Sequence, residues 1–309
     1  MSREQQFIAR LAAFARDPAA RGLADDVAVV PFGERSLVLT HDMIVEGVHF
    51  LADDPPADVA WKLVAVNVSD LAAKGAEPVG LLVGYPLAPD EGWDAAFAEG
   101  LGRATATLGV PLLGGDTVAV PRGSARQIGA TAVGSVAGRR VPARSGARAG
   151  DLLYVTGVIG AAGLGLACAR DGAQGPAAWL EAYRRPRPRL AEGRALAPLV
   201  HAMADVSDGL LIDATRMAAA SGLAVAVALD AVPLPAGAAG DRDGRLAAAT
   251  AGDDYELLFA APAGLTLSQP GLAQVTAVGR FAQGSGLTLT WAGEAIAAPD
   301  RLGYEHGDR

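Results

Sequence analysis

The chain has 309 residues, 51% of them apolar, enough to bury one large core or two ordinary ones, and the length favours two domains. Its formal net charge is −8 and its one concentrated basic run is Arg184-Arg185 with Arg187 and Arg189, which excludes the electrostatic footprint of a nucleic-acid or anionic-membrane binder. The single cysteine, Cys168, excludes an internal disulfide framework and a cysteine-built metal site; with no signal-like start and no charge-free span of ~20 residues, the expected location is the cytoplasm.

Taken in order, Glu4 to Phe14 predicts a short helix, and alternating apolar residues predict strands at Val27 to Pro31 and Ser36 to Thr40. Helical spacing of Val59, Leu63, Val66 and Leu71 predicts a helix from Ala57 to Lys74, closed at Gly75. A strand at Leu81 to Pro86, a helix from Asp90 to Leu108 ended by Gly109, and strands at Pro111 to Leu113 and Ile128 to Ala137 complete a first α+β unit. The basic, glycine-bearing stretch Gly138 to Gly150 reads as a linker, so the domains are set at residues 1–137 and 138–309. The second half predicts a strand at Asp151 to Thr156, the glycine-rich Gly157 to Gly165 and a helix through Ala169. After it come a strand at Ala202 to Val206, a helix from Asp208 to Ala220, and strands at Leu223 to Leu229, Glu256 to Ala260 and Val275 to Phe281.

Short acidic clusters recur beside glycine or apolar runs: Asp25-Asp26, Thr40-His41-Asp42, Ser69-Asp70, Gly114-Gly115-Asp116, Asp205-Val206-Ser207-Asp208 and Asp253-Asp254. Hard oxygen ligands of this kind suit divalent cations held for phosphate chemistry. Each also has a plainer reading. Asp25-Asp26 is a common turn former, and Gly114-Gly115 reads as a structural hairpin or as a turn whose N–H groups cradle phosphate. Asp208 falls where a helix N-cap belongs, which leaves Asp205 unexplained. Asp70 is either an exposed residue on the outer face of its helix or a buried carboxylate that needs a cation, since Val64 to Ala73 is nearly all apolar.

Other chemistries are excluded by spacing. The glycines at 157, 160, 163 and 165 fit no G-x-G-x-x-G register, no G-x-x-x-x-G-K-[ST] or G-x-S-x-G occurs, and His41, His49, His201 and His306 form no zinc pattern.

The strings Ala24-Asp25-Asp26-Val27-Ala28, Thr40 to Phe50, Ala65 to Ala76, Gly114-Gly115-Asp116-Thr117, Arg144-Ser145-Gly146-Ala147, Asp205 to Leu210 and Gly252 to Leu257 together resemble the thiamine-monophosphate kinases. These belong to the superfamily of aminoimidazole ribonucleotide synthetase, selenophosphate synthetase and a hydrogenase maturation protein. The resemblance implies an α+β, two-domain aminoimidazole ribonucleotide synthetase-like fold. Its N-terminal sheet would pair with that of a second subunit in a shared barrel, making a homodimer, and its C-terminal domain would be an α/β sandwich. It further implies Mg²⁺-dependent transfer of the γ-phosphoryl group of ATP onto thiamine monophosphate. By motif, Asp26, Thr40, His41, Asp42, Asp70, Asp116, Asp205 and Asp208 would hold several Mg²⁺ ions. Gly115, Asp116, Arg144 and Ser207 would meet ATP, and His49, Asp253 and Tyr304 the thiamine phosphate. No catalytic base is implied, because the acceptor phosphate is already ionised. Ala24, His41 and Asp253 stand where the family usually has Gly, Thr and Glu, and Asp253 reaches one methylene less far. The chain has no reactive N-terminal cysteine of the selenophosphate synthetase kind and no C-terminal cysteine of the maturation-protein kind, and every mapped carboxylate is present, unlike in a silent binding protein.

Overall fold

A computed structural model describes residues 3–87, 90–138, 140–265 and 273–306. After the helix α1 (Arg3–Ala12) and a 3-10 turn, the strands β1 (Ala28–Phe32), β2 (Arg35–Val45), β3 (Glu77–Leu87), β4 (Leu112–Ala119) and β5 (Gln127–Ala137) form one sheet in the order β1-β2-β5-β3-β4. Only β3 and β4 run parallel. One face carries the helices α2 (Pro56–Ala72) and α3 (Glu91–Leu108), which pack on each other, with α2 also against β2 and β5.

The second half contributes β6 (Leu152–Thr156), α4 (Ala161–Asp171), α5 (Ala177–Arg184), α6 (Leu190–Leu196), β7 (Ala202–Asp205), α7 (Leu210–Ala220) and β8 (Ala224–Ala228). It continues with α8 (Arg242–Ala251), β9 (Leu257–Ala261), β10 (Val275–Ala282), β11 (Gly286–Trp291) and β12 (Glu294–Ile296). Its mixed sheet has the order β12-β11-β8-β10-β6-β9-β7. Each half has its own apolar core, and a third cluster joins Ala72 and Ala73 of the first half to Tyr154, Leu196, Met203 and Phe259 of the second. Among the described residues no helix is long and apolar enough to cross a membrane.

Three expected boundaries move, each for a reason that bears on the site. The strand expected to stop at Thr40 continues to Val45, paired with β5 throughout, so Thr40-His41-Asp42 lies inside a strand. Period-two alternation then turns Thr40 inward and His41 outward. The glycine pair expected at a turn lies within β4: Gly115 keeps that edge strand close, because a Cβ there would fall 1.9 Å from the Val83 carbonyl oxygen. The N-cap of α7 is Gly209, and the cap falls instead to Asp213, whose Oδ2 accepts the N–H groups of Ser207 and Asp208, each at 3.1 Å. Asp208 is thereby released from capping.

The helices α5, α6 and α8 and the strands β11 and β12 were absent from the sequence reading. All five are short, from 3 to 10 residues, so each shows too few repeats of its period to stand out from the chain around it. The glycines of 157–165 serve close packing: a Cβ at Gly165 would fall 2.0 Å from the Trp179 carbonyl oxygen, where α4 crosses α5. Gly165→Ala should therefore cost about 1–3 kcal/mol by overpacking. Thermal unfolding checks this, and an unchanged Tm would overturn the tight-crossing account.

Candidate active site at the domain seam

Four of the acidic clusters converge because α2, the segment before β1, β2 and β7 meet where the two halves join. A cavity of about 790 Å³ opens there, lined by Asp26, Asp42 and Asp70 from the first half and by Asp205, Ser207 and Asp208 from the second. Single carboxylate oxygens of Asp26, Asp70 and Asp205 all lie within 4.8 Å of one another.

Local bonds fix each of the three. Asp70, in the last turn of α2, is buried, which removes the outer-face reading; the Thr40 hydroxyl bonds its Oδ2. Its neighbour Ser69 donates to Asp205 Oδ2 at 2.5 Å, so one helix of the first half supplies a carboxylate and ties down another from the second half. Asp26 is gripped by the Arg144 guanidinium and by the wholly buried Lys74, whose Nζ lies 2.9 Å from Asp26 Oδ2 and 2.6 Å from Asp25 Oδ1. Asn67, a buried amide and not a surface one, accepts the Asp42 N–H at 3.1 Å and donates to the Leu63 carbonyl at 3.0 Å.

The carboxyl groups titrate differently because each has different charged neighbours. Burial would push Asp26 up, but Arg144 and Lys74 outweigh it and hold the group below the usual carboxylate range. Burial, reinforced by Asp42 and Asp205, drives Asp70 well above that range. Burial, then Asp26, pushes Asp205 up to about 8 and Asp42 to about 6. Without a cation, then, Asp70 and Asp205 hold protons at neutral pH while Asp26 stays ionised. An all-oxygen donor set of convergent, mutually repelling carboxylates fits a hard divalent cation and offers no nitrogen or sulfur to a softer one.

His49, Asp253 and Tyr304 line the same cavity. His49 Nδ1 accepts the Val45 N–H at 3.0 Å and burial lowers its pKa, so the ring is neutral with its proton on Nε2. Its ring lies 5.4 Å from that of His306, which in turn meets Tyr304 edge-on at 4.9 Å. Asp254 turns away: it accepts the N–H groups of Gly160 at 2.8 Å and Ala162 at 3.4 Å, supplying the cap that Gly160 lacks.

Three expected site residues are not brought to this cavity within one chain. His41 is exposed and its Nδ1 lies 2.9 Å from the Thr131 hydroxyl. Gly115 and Asp116 belong to exposed β4; the registers Asp42↔Ala130, Ala130↔Val83 and Val83↔Gly115 put Gly115 in the cross-strand row of Asp42, about 14 Å away at three strand spacings. Conversely, Lys62, Asn67, Lys74 and Asp213 were missed. The one available signal was Lys62 within, and Lys74 just beyond, the mostly apolar stretch from Ala60 to Ala73, since a cation buried there would demand a buried anion, but no local pattern says that either is buried.

Comparison with known proteins agrees with this architecture. Residues 24–136 match the family described as AIR synthase related protein, N-terminal domain, and residues 148–305 match its C-terminal domain. A thiamine-monophosphate kinase of Caulobacter vibrioides is 39% identical over 307 residues, spanning 94% of this chain and 86% of the relative. The chain belongs to the thiamine-monophosphate kinase family. Among solved members, thiamine-monophosphate kinase from Stenotrophomonas maltophilia K279a superposes with a TM-score of 0.74 at 34% identity, over 94% of this chain and 96% of that one. AaThiL complexed with AMPPCP and TMP superposes with a TM-score of 0.81 at 28% identity, over 97% and 96% of the two chains. The thiamine-monophosphate kinase fold thus spans both domains here, and the carboxylate cluster sits at their junction.

Proposed function

We propose that this protein is an ATP-dependent thiamine-phosphate kinase that transfers the γ-phosphoryl group of ATP in line onto the phosphate of thiamine monophosphate, giving thiamine diphosphate and ADP. The observation that carries the reading is the close approach of Asp26, Asp70 and Asp205 in a cavity that His49, Asp253 and Tyr304 also line. Membership of the family and its AMPPCP-bound member support it.

The attacking oxygen needs no base, so the protein's task is to bring two polyanions together and hold them. Arg144 lies against Asp26 with its Nε buried and unpartnered, which suits a further contact to nucleotide phosphate; Ser207, in the turn before α7, lines the cavity. Asp26, Asp42, Asp70, Asp205 and Asp208 would hold Mg²⁺, which when bound supplies the positive charge that offsets both phosphates. Thr40 serves through Asp70, and His41 through its backbone alone. His49, neutral and donating from Nε2, Asp253 and the half-exposed Tyr304 ring would hold the thiamine phosphate. Neutral rings at that end avoid repelling a cationic heterocycle.

Gly115 and Asp116 enter through assembly. The uncovered face of the N-terminal sheet bears Met43, Leu82, Leu113 and Val118, exposed apolar residues that a second copy would cover. A homodimer formed on that face, with the sheets closed into a shared barrel, would put the exposed β4 motif at the interface. We place the reaction in the cytoplasm, in keeping with a single unpaired cysteine.

The decisive experiment is incubation of purified protein with Mg-ATP and thiamine monophosphate, with thiamine diphosphate and ADP as the expected products in equal amounts. Absence of turnover above a blank across millimolar Mg²⁺ would remove the kinase reading.

A further inference from the structure

One cation beside the substrate end has no part in the scheme above. Lys62, midway along α2, is 2% exposed, yet its ammonium lies 2.5 Å from Asp253 Oδ2 and donates to the His49 carbonyl at 2.8 Å. Its Nζ also sits 4.2 Å from the centroid of the Tyr183 ring. That ring is held in place by its own hydroxyl, which donates to Asp54 Oδ2 at 2.8 Å, while the Arg184 guanidinium takes Asp54 Oδ1 at 2.8 Å. A lysine stripped of water is tolerated only where anion, carbonyl and ring together replace its hydration. Here those partners come from both domains.

Asp253 is the residue that most needs such a tie. It lies at φ +65° and Tyr255 at φ +52°, a left-handed backbone uncommon for residues with side chains. The segment is pinned by the Asp253 N–H to the Ser207 carbonyl at 2.7 Å and the Tyr255 N–H to the Val206 carbonyl at 2.8 Å. Both carboxylate oxygens are then claimed: Oδ2 by Lys62, and Oδ1 by the Tyr255 hydroxyl at 3.0 Å. The Asp253 side chain remains 26% exposed and lines the cavity, whereas Lys62 does not. Whatever Lys62 contributes therefore reaches a ligand through Asp253 and His49.

We infer that Lys62 is a positioning residue for the thiamine-phosphate subsite: by bonding Asp253 of one domain and the His49 carbonyl of the other, it fixes the spacing between two walls of that subsite. The inference rests on the kinase reading and deepens it. It also gives the short Asp253 side chain, one methylene less than Glu, a defined place in the cavity wall.

The test is steady-state kinetics of the full-length protein with each substrate varied in turn, for wild type, Lys62→Met, Asp253→Asn and the double variant, with Lys62→Arg in parallel. Lys62→Met should raise KM for thiamine monophosphate by about tenfold or more while KM for ATP moves less than about threefold. In the Asp253→Asn background the same substitution should add less than about twofold, because the two act as one unit. Lys62→Arg keeps the charge but not the two-bond geometry, so it should shift the same KM in the same direction; it decides the matter should Lys62→Met fail to fold. Equal shifts in both KM values, no shift, or multiplicative effects in the double variant would overturn the inference. A wild type that makes no thiamine diphosphate would overturn the kinase reading, and this inference with it, whereas an active wild type with an indifferent Lys62 overturns the inference alone.

Discussion

Asp70→Asn should reduce turnover by about 10²–10³-fold or more while leaving the melting temperature in EDTA unchanged or higher. The two halves of this expectation have one cause. Asp70 is buried among Asp42, Asp205 and Asp26, which together with burial raise its pKa well above the usual carboxylate range. Without a cation the folded protein thus carries a protonated carboxyl at this position, and Asn copies that neutral group in shape. In the proposed reaction a divalent cation bound here would need a negative oxygen from the same position, which Asn lacks. The sign of the pH dependence follows. A carboxyl whose folded pKa is raised contributes stability that is full below its unfolded value, near 3.8, and lost as pH rises through the folded value. For Asp205 that loss runs up to about 8, and Asp70 acts in the same sense. In EDTA the wild-type Tm should therefore fall between pH 6 and pH 9 more steeply than that of Asp70→Asn. Added Mg²⁺ should raise the wild-type Tm at pH 8 and leave the variant's nearly unmoved. Normal turnover by the variant, or a variant markedly less stable than wild type in EDTA at pH 8, would contradict this account.

Lys74→Met should carry the largest stability loss of any single change considered, about 3–5 kcal/mol. Lys74 is wholly buried, and its ammonium serves Asp25 Oδ1 at 2.6 Å, Asp26 Oδ2 at 2.9 Å and the Met203 carbonyl at 3.1 Å. Burial lowers its pKa, but Asp26 and Asp25 more than restore it, so the lysine is charged in the folded protein. Methionine fits the volume but leaves two carboxylates sharing Arg144 and Arg21, and the Met203 carbonyl loses its donor. Denaturant unfolding measures the loss. Asp25→Asn in the Lys74→Met background should recover part of it, because one of the stranded charges is then gone. A loss under about 1 kcal/mol, or no recovery in the double variant, would show that the ion cluster is not what ties these segments together.

How much of this was legible in the sequence depends on the residue. Asp70 stood out because an apolar neighbourhood makes a carboxylate costly, and Asp205 because helix capping does not account for it; both prove buried at the cavity. Helix α2 and its stop at Gly75 were readable from spacing alone. What was not readable was depth: Asn67, Lys62 and Lys74 look like ordinary surface residues until tertiary packing encloses them, because period and propensity report faces of an element and not what covers them. Asp213 shows the complementary failure. Local rules favour the nearest carboxylate as the cap, yet a side chain from inside the helix reached back to those N–H groups first. Gly115 and Asp116 were legible as a motif but not as a place, since the position of an edge strand depends on sheet order, which no local pattern encodes.

The helix α2 has fourteen of its seventeen residues buried, more than one sheet could enclose. It contacts β2, β3 and β5 on one side and α5, α6 and β7 on the other. Matched family segments can be drawn on either side of residue 140, but a cut there would strip α2 of the cover that α5, α6 and β7 give it. Any hinge motion between the two halves would have to break these contacts, so the joint between domains is itself part of the core.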